Sequence, residues 1–120
     1  MLLNLGNRIP VFFSSSNFCR FLYSRPNTTL KWKLHNELPK LNKAKTRQLI
    51  QQAFDDWARF SPLTFREANR TEKADFNLSF LVGNHADRFP FDGPGGNLAH
   101  GFFPKDGRIH FDATEDWTDK

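Results

Sequence analysis

His85-Ala86-Asp87-Arg88-Phe89-Pro90-Phe91-Asp92-Gly93-Pro94-Gly95-Gly96-Asn97-Leu98-Ala99-His100 is followed, after nine intervening residues, by His110-Phe111-Asp112-Ala113-Thr114-Glu115-Asp116-Trp117. His85 and Asp87 are two apart, so extended backbone projects both side chains to the same side. His100 and His110 fall on the two arms of an expected hairpin, Leu98–Phe103 and Arg108–Phe111. The turn between them, Pro104-Lys105-Asp106-Gly107, contains Asp-Gly, which is strong turn chemistry. A three- or five-residue loop centred on Lys105 pairs the two histidines directly and sends both imidazoles to one face. A four-residue loop sends them to opposite faces.

Three neutral imidazoles and one carboxylate make a closed tetrahedral set for zinc. Such a site leaves no position for water and has a structural role. The competing reading is four unrelated surface or hydrogen-bonding side chains. Within the same stretch, Phe91-Asp92-Gly93-Pro94-Gly95-Gly96 gathers glycines and a proline around one aspartate, a composition that folds a tight loop with inward-turned carbonyls. Oxygen-rich loops of this kind suit calcium. Asp112 and Glu115, just past His110, are spaced to add the missing charge. Taken alone, the glycine run is only a turn.

Upstream, Leu30, Trp32 and Leu34 alternate with lysines, as in a half-buried strand. Asn42 is a candidate N-cap for a helix whose apolar residues Ile50, Ala53, Phe54 and Trp57 share one face. Pro62 stops that helix, with Ser61 pushed out of helical geometry. Leu63 and Phe65 suggest a second short strand, and Phe76, Leu78, Phe80 and Val82 alternate as a third. A long loop, Gly83 to Asn97, precedes the hairpin. Strand, helix, strand, strand implies an α+β fold, with a sheet carrying a helix on one face.

The 120 residues allow one small domain. The 14 Phe and 3 Trp supply the volume for a compact core. No apolar run approaches the roughly 20 residues that span a bilayer, so no membrane span is expected. The net charge is +4, with much of the excess between Lys31 and Arg47, whereas Asp112, Glu115, Asp116 and Asp119 make the tail acidic. A basic face raises polyanions as partners, although charge runs usually just face water. There is no RNA-binding signature and no Cys–His zinc-finger spacing, so nucleic acid is not an expected partner. The single Cys19 cannot form an internal disulfide.

Residues 1–26 contain Arg8, Arg20 and Arg25 and no acid. Asn4, Asn7, Arg8 and Pro10 interrupt the apolar stretch that a secretory signal requires. An organellar transit peptide is the other targeting reading. Residues 1–27 are read instead as a disordered leader of unknown role, and 28–120 as the domain. Three N-glycosylation sequons are present, Asn27-Thr28-Thr29, Asn69-Arg70-Thr71 and Asn77-Leu78-Ser79. The third lies inside an expected strand and is not expected to be modified.

His85-Ala86-Asp87, Phe89-Pro90-Phe91-Asp92-Gly93-Pro94-Gly95, Leu98-Ala99-His100 and His110-Phe111-Asp112, with Glu115 and Trp117, together resemble the matrix metalloproteinases of the metzincin clan. Pro62-Leu63-Thr64-Phe65, Ala74-Asp75 and the helix ending at Trp57 extend the resemblance over roughly residues 30–120. It implies the upper, N-terminal part of the catalytic domain: a twisted, mostly parallel sheet with one antiparallel edge strand and one long helix. It implies that His85, Asp87, His100 and His110 bind a structural zinc. It implies a structural calcium held by Asp92, the carbonyls of Gly93, Gly95 and Asn97, and the carboxylates of Asp112 and Glu115. Leu98 and Ala99 would lie on the edge strand, offering free N–H and C=O groups to an extended peptide or protein substrate.

The departures are as informative. The family's catalytic motif, H-E-x-x-H-x-x-G-x-x-H, supplies the catalytic zinc ligands and a Glu general base. It is expected beyond Trp117 and falls outside these residues. The segment between His100 and His110 is shorter than in many members, and Arg108 stands two residues before His110. Asp75 therefore matches one ligand of a second calcium without its partners. Cys19, in Phe18-Cys19-Arg20-Phe21, does not match the family's P-R-C-G-x-P-D zymogen segment.

The resemblance thus implies a truncated zinc metalloendopeptidase of extracellular matrix proteins, secreted by family likeness, and inactive as these residues stand. A non-catalytic metal-binding module that holds peptides along its edge strand is the alternative. A polyanion-binding protein with incidental histidines is a third reading.

Overall fold

A computed structural model describes residues 27–102 and 105–118. The expected leader, Cys19, and the hairpin residues Phe103 and Pro104 lie outside them. Strand β1 (Thr28–Leu34) leads to helix α1 (Lys43–Ala58), then strands β2 (Leu63–Glu67), β3 (Phe76–Leu81), β4 (Ala99–Gly101) and β5 (Arg108–Asp112). They form one sheet in the order β2-β1-β3-β5-β4. β1 is parallel to β2 and β3, β3 is parallel to β5, and β4 alone runs antiparallel at the edge. This is the α+β, mostly parallel arrangement expected from the sequence.

Alternation decides which strand faces are buried. Leu30, Trp32 and Leu34 of β1, and Phe76, Leu78 and Phe80 of β3, are all buried, with their neighbours half-exposed. Asn42 caps α1, its side chain accepting from the Lys45 N–H at 3.0 Å. The helix buries Ile50, Ala53 and Phe54. Phe54 stacks on Phe65 at 5.0 Å and on Trp32 at 6.1 Å, with Phe76 at 5.6 Å. The Trp32 indole N–H donates to Gln51 of α1 at 2.8 Å, satisfying the polar atom of a side chain only 1% exposed. α1 ends at Ala58, before Pro62, through a tight turn in which Phe60 N–H donates to Trp57 and Ser61 N–H to Ala58.

A second aromatic group, Phe80, Phe111 and Trp117, fills the space between β3, β5 and the turn that follows β5. The Trp117 indole donates to the Asp112 carbonyl at 2.6 Å, fixing that turn against the sheet. One expectation fails here. Val82 was read as a continuation of the β3 alternation, but β3 ends at Leu81 and Val82 is 58% exposed. Gly83, at φ +46°, turns the chain away, and its carbonyl accepts from the Phe91 N–H at 2.9 Å. The backbone group that would extend the strand closes a loop instead.

Candidate metal centre

The β4–β5 register decides the site. His100 stands directly opposite His110, as a three- or five-residue loop centred on Lys105 requires, so both imidazoles share a face. Gly107, at φ +69°, supports the turn. Its carbonyl accepts from the Asn77 N–H at 2.9 Å, holding the hairpin against β3.

His85 and Asp87 reach the same place by a different route from the extended backbone expected. Ala86, at φ +65°, and Arg88, at φ +73°, are both left-handed. This conformation costs a non-glycine residue roughly 1–2 kcal/mol. Local bonds hold it: Ala86 N–H donates to the Asn84 side chain at 3.2 Å, and Phe89 N–H to Asp87 Oδ1 at 3.0 Å. The other carboxylate oxygen, Asp87 Oδ2, is left facing inward.

Three ring nitrogens converge on that oxygen. His85 Nε2 lies 2.8 Å away, His100 Nε2 2.7 Å and His110 Nδ1 2.7 Å. His100 Nε2 is 3.3 Å from His85 Nε2 and 3.1 Å from His110 Nδ1. A tetrahedral ion with bonds of about 2.0–2.1 Å holds its ligands roughly 3.3 Å apart, so the spacing between the nitrogens fits such an ion. The protonation pattern fits as well. His85 Nδ1 lies 2.8 Å from the Gly83 carbonyl and must carry that ring's proton to donate to it. In the tautomer with its proton on Nδ1, the Nε2 lone pair of His85 faces a carboxylate lone pair, an opposition that a cation between them resolves.

Charge and burial agree. Burial of the Asp87 side chain opposes ionisation. Hydrogen bonds from His100, the Phe89 N–H and His110 outweigh it, and hold the carboxyl well below the usual carboxylate range. Burial lowers the His110 imidazole, and repulsion from His100 and His85 adds to this, against the pull of Asp87. His85, Asp87, His100 and His110 are the one group of three or more such donors gathered within 4.8 Å among the described residues, and they could hold a metal ion. Phe91 stacks on His85 and lies 4.8 Å from His100, while Phe102 packs edge-on to His100, walling the cluster from water. Gly83, Phe91 and Phe102 were not assigned to the site from sequence. The glycine immediately before the histidine stretch and the aromatics interleaved with it were the available signals.

The residues expected around calcium are brought into one region but not into one donor set. Gly93 and Gly95, at φ +89° and +96°, shape the loop. Gly95 N–H donates to Glu115 Oε1 at 2.7 Å, tying the loop to the turn after β5. Asp92 Oδ1 is taken up by the Asn97 N–H at 2.9 Å. Asp112 is fully buried: Oδ1 accepts from the Thr114 N–H and hydroxyl, whereas Oδ2 has no partner among the described residues. Glu115 is also buried, and no cationic side chain among the described residues pairs with either acid. Asp75, the lone match to a second calcium, accepts from the Lys31 N–H at 2.8 Å. Arg108 pairs with Asp106 at 2.7 Å and lies over the Phe102 ring.

β4 is the open edge of the sheet. Asp112 N–H donates to the Leu98 carbonyl and Phe102 N–H to the Arg108 carbonyl. Antiparallel alternation therefore turns the backbone groups of Ala99 and Gly101 outward. Of the two edge residues expected, Ala99 turns its backbone groups toward the open edge while being only 6% exposed, and the Leu98 carbonyl is used by β5. Gly101 joins Ala99 as an outward-facing position.

Comparison with known proteins places the chain among relatives. A family model described as Matrixin matches residues 23–120. Interstitial collagenase of Equus caballus is 46% identical over 95 residues, covering 77% of this chain. Neutrophil collagenase of Homo sapiens is 43% identical over 94 residues (76% of this chain), and Matrix metalloproteinase-16 of Rattus norvegicus 41% over 98 residues (74%). The chain belongs to the matrixin family. It spans about one fifth of the length of the curated relatives it matches: 20% of each collagenase and 16% of the third.

Proposed function

We propose that residues 28–120 form the upper, N-terminal part of the catalytic domain of a secreted zinc endopeptidase acting on extracellular matrix proteins. The observation that carries the reading is the convergence of His85, His100 and His110 on one oxygen of Asp87, in a chain of the matrixin family. In this role the four side chains hold a structural zinc. The site is closed, so zinc here supplies folding free energy, on the order of 10 kcal/mol, and no chemistry. Zinc fixes the two left-handed residues beside Asp87 and the long loop leading to β4.

Calcium is the second ion in this reading, held by Asp92, Asp112 and Glu115 with the carbonyls of Gly93, Gly95 and Asn97. The unpaired oxygen of fully buried Asp112 supports it, because a buried carboxylate needs a cation or donors. Calcium also requires the Asp92 carboxylate to be shared between the ion and the Asn97 N–H. The open edge of β4 supports a substrate bound as an added strand, on the outward groups of Ala99 and Gly101.

Joining the chain to the remaining catalytic segment of a matrixin relative tests the peptidase reading. Expected is cleavage of a collagen-derived peptide that chelator abolishes. A folded, zinc-loaded chimera that cuts no peptide would sink it.

A further inference from the structure

The three sequons are left without a role by the metal centre and the edge strand, and the fold separates them sharply. Asn77 lies in β3, a strand paired on both sides, opposite Lys33 of β1 and Arg108 of β5. It is half-buried, and its Oδ1 is 2.8 Å from His35 Nε2. Asn27 immediately precedes β1, and the hydroxyl that completes its sequon is engaged: Thr29 Oγ1 lies 2.8 Å from Thr64 Oγ1 across the β1–β2 pair.

Asn69-Arg70-Thr71 is different. All three residues are exposed and lie in the connection between β2 and β3. The backbone there is a closed turn: Glu72 N–H donates to the Asn69 carbonyl at 3.1 Å, and Asn69 N–H donates to Glu72 Oε2 at 2.8 Å. Arg66 grips the same Glu72 carboxylate through two hydrogen bonds, of 2.7 and 2.8 Å, and Lys33 donates to the Arg70 carbonyl at 3.1 Å. The turn is thus held by its backbone and by Glu72. Neither the Asn69 amide nor the Thr71 hydroxyl takes part in a hydrogen bond among the described residues. Both groups a sequon needs are free, on a turn that no core packing depends on.

We propose that Asn69 carries an N-linked glycan, attached in the secretory pathway. The transfer joins Asn69 Nδ2 to the anomeric carbon of an N-acetylglucosamine-led oligosaccharide carried on a lipid diphosphate. The bond from that carbon to the diphosphate oxygen breaks, the lipid diphosphate leaves with the electron pair, and Nδ2 gives up one proton to a base of the transferase. The glycan sits on the β1–β2 side of the sheet, whereas the metal centre and the open strand lie at the β4 edge. Sugar at Asn69 therefore leaves both uncovered. A folded domain tolerates modification at such an exposed turn and resists it at Asn77.

The inference rests on the extracellular reading, and the experiment keeps the two apart by supplying an independent signal peptide to the full chain in animal cells. Whether in the medium or in secretory membranes, the recovered chain is treated with an amidase that converts glycosylated Asn to Asp. The peptide containing position 69 is then read by mass spectrometry. Expected are a downward gel shift on treatment and Asp at 69, both lost in Asn69→Gln and Thr71→Ala and kept in Thr71→Ser. Zinc content should be the same in all four proteins. An unmodified Asn69 in a chain that has entered the secretory route overturns the proposal, as does a position-69 glycan that survives Thr71→Ala. Secretion under the chain's own N-terminus is a separate measurement, and its failure would count against the extracellular reading alone.

Discussion

Asp112→Asn replaces a fully buried carboxylate with an amide of nearly the same shape. It keeps Oδ1, which accepts from the Thr114 N–H at 2.8 Å and hydroxyl at 2.6 Å, and removes the charge from Oδ2, which has no partner among the described residues. Without calcium the substitution should stabilise the fold, because an unsatisfied buried group costs about 1–3 kcal/mol and more when charged. With calcium it should do the reverse. A site of extracellular-module affinity, with Kd of about 10⁻⁴–10⁻³ M, gains about 1.4–2.7 kcal/mol from about 10 mM calcium. For a domain of this size that is a rise of roughly 6–20 °C in Tm. The assay is thermal unfolding of parent and variant, both zinc-saturated, in chelator selective for calcium and in added calcium. The parent should shift upward and the variant should not, so the order of the two proteins reverses. A variant that keeps the parent's calcium shift, or that is less stable than the parent in chelator, refutes the assignment of Oδ2 to a cation.

Phe54→Ala empties the aromatic contact between α1 and the sheet and should cost about 3–5 kcal/mol. It would be read as a lower urea midpoint at unchanged slope, and a loss below about 1 kcal/mol would contradict the packing. Gly107→Ala puts a methyl group at φ +69° that overlaps the Asp75 carbonyl oxygen. It should lose roughly 1–3 kcal/mol and shift the His100–His110 pair, seen as weaker zinc retention; a variant as stable as the parent would rule out the turn as described. Hydrogen bonds from Arg66, followed by one from the Asn69 N–H, lower the Glu72 carboxyl from 4.5 to about 2. A carboxylate lowered in the folded state contributes stability above its unfolded pKa and loses it as pH falls through the folded one. The gap between parent and Glu72→Gln should therefore hold steady above pH 4.5 and close toward pH 2, and a gap that persists at the acid end would refute the pairing.

Much of the sheet was legible because strand alternation is a local signal. Leu30, Trp32 and Leu34, and likewise Phe76, Leu78 and Phe80, declare their buried face without knowledge of their partners. Val82 continues the same pattern and is not in the strand, because the decision is made by Gly83 and its bond to Phe91, eight residues downstream. At the candidate site the donor types were readable, whereas the choice between an odd and a four-residue loop was decided only by the His100–His110 register. The left-handed Ala86 and Arg88 were not readable, since nothing in their own chemistry favours that conformation. Which ring nitrogen each histidine offers was also hidden, being fixed by tertiary partners such as the Gly83 carbonyl. The outward turn of Gly101 depends on which residues of β4 bond to β5, and that register emerges only once the hairpin is built.

Zinc content is the most direct test of the metal centre: elemental analysis of the purified chain after dialysis against metal-free buffer, beside Asp87→Ala and His110→Ala. The expected result is about one zinc per parent chain, with loss of the circular dichroism signal on chelation and loss of zinc in both variants. A parent chain that retains its folded spectrum while holding no zinc would contradict the claim that His85, Asp87, His100 and His110 form a structural zinc site.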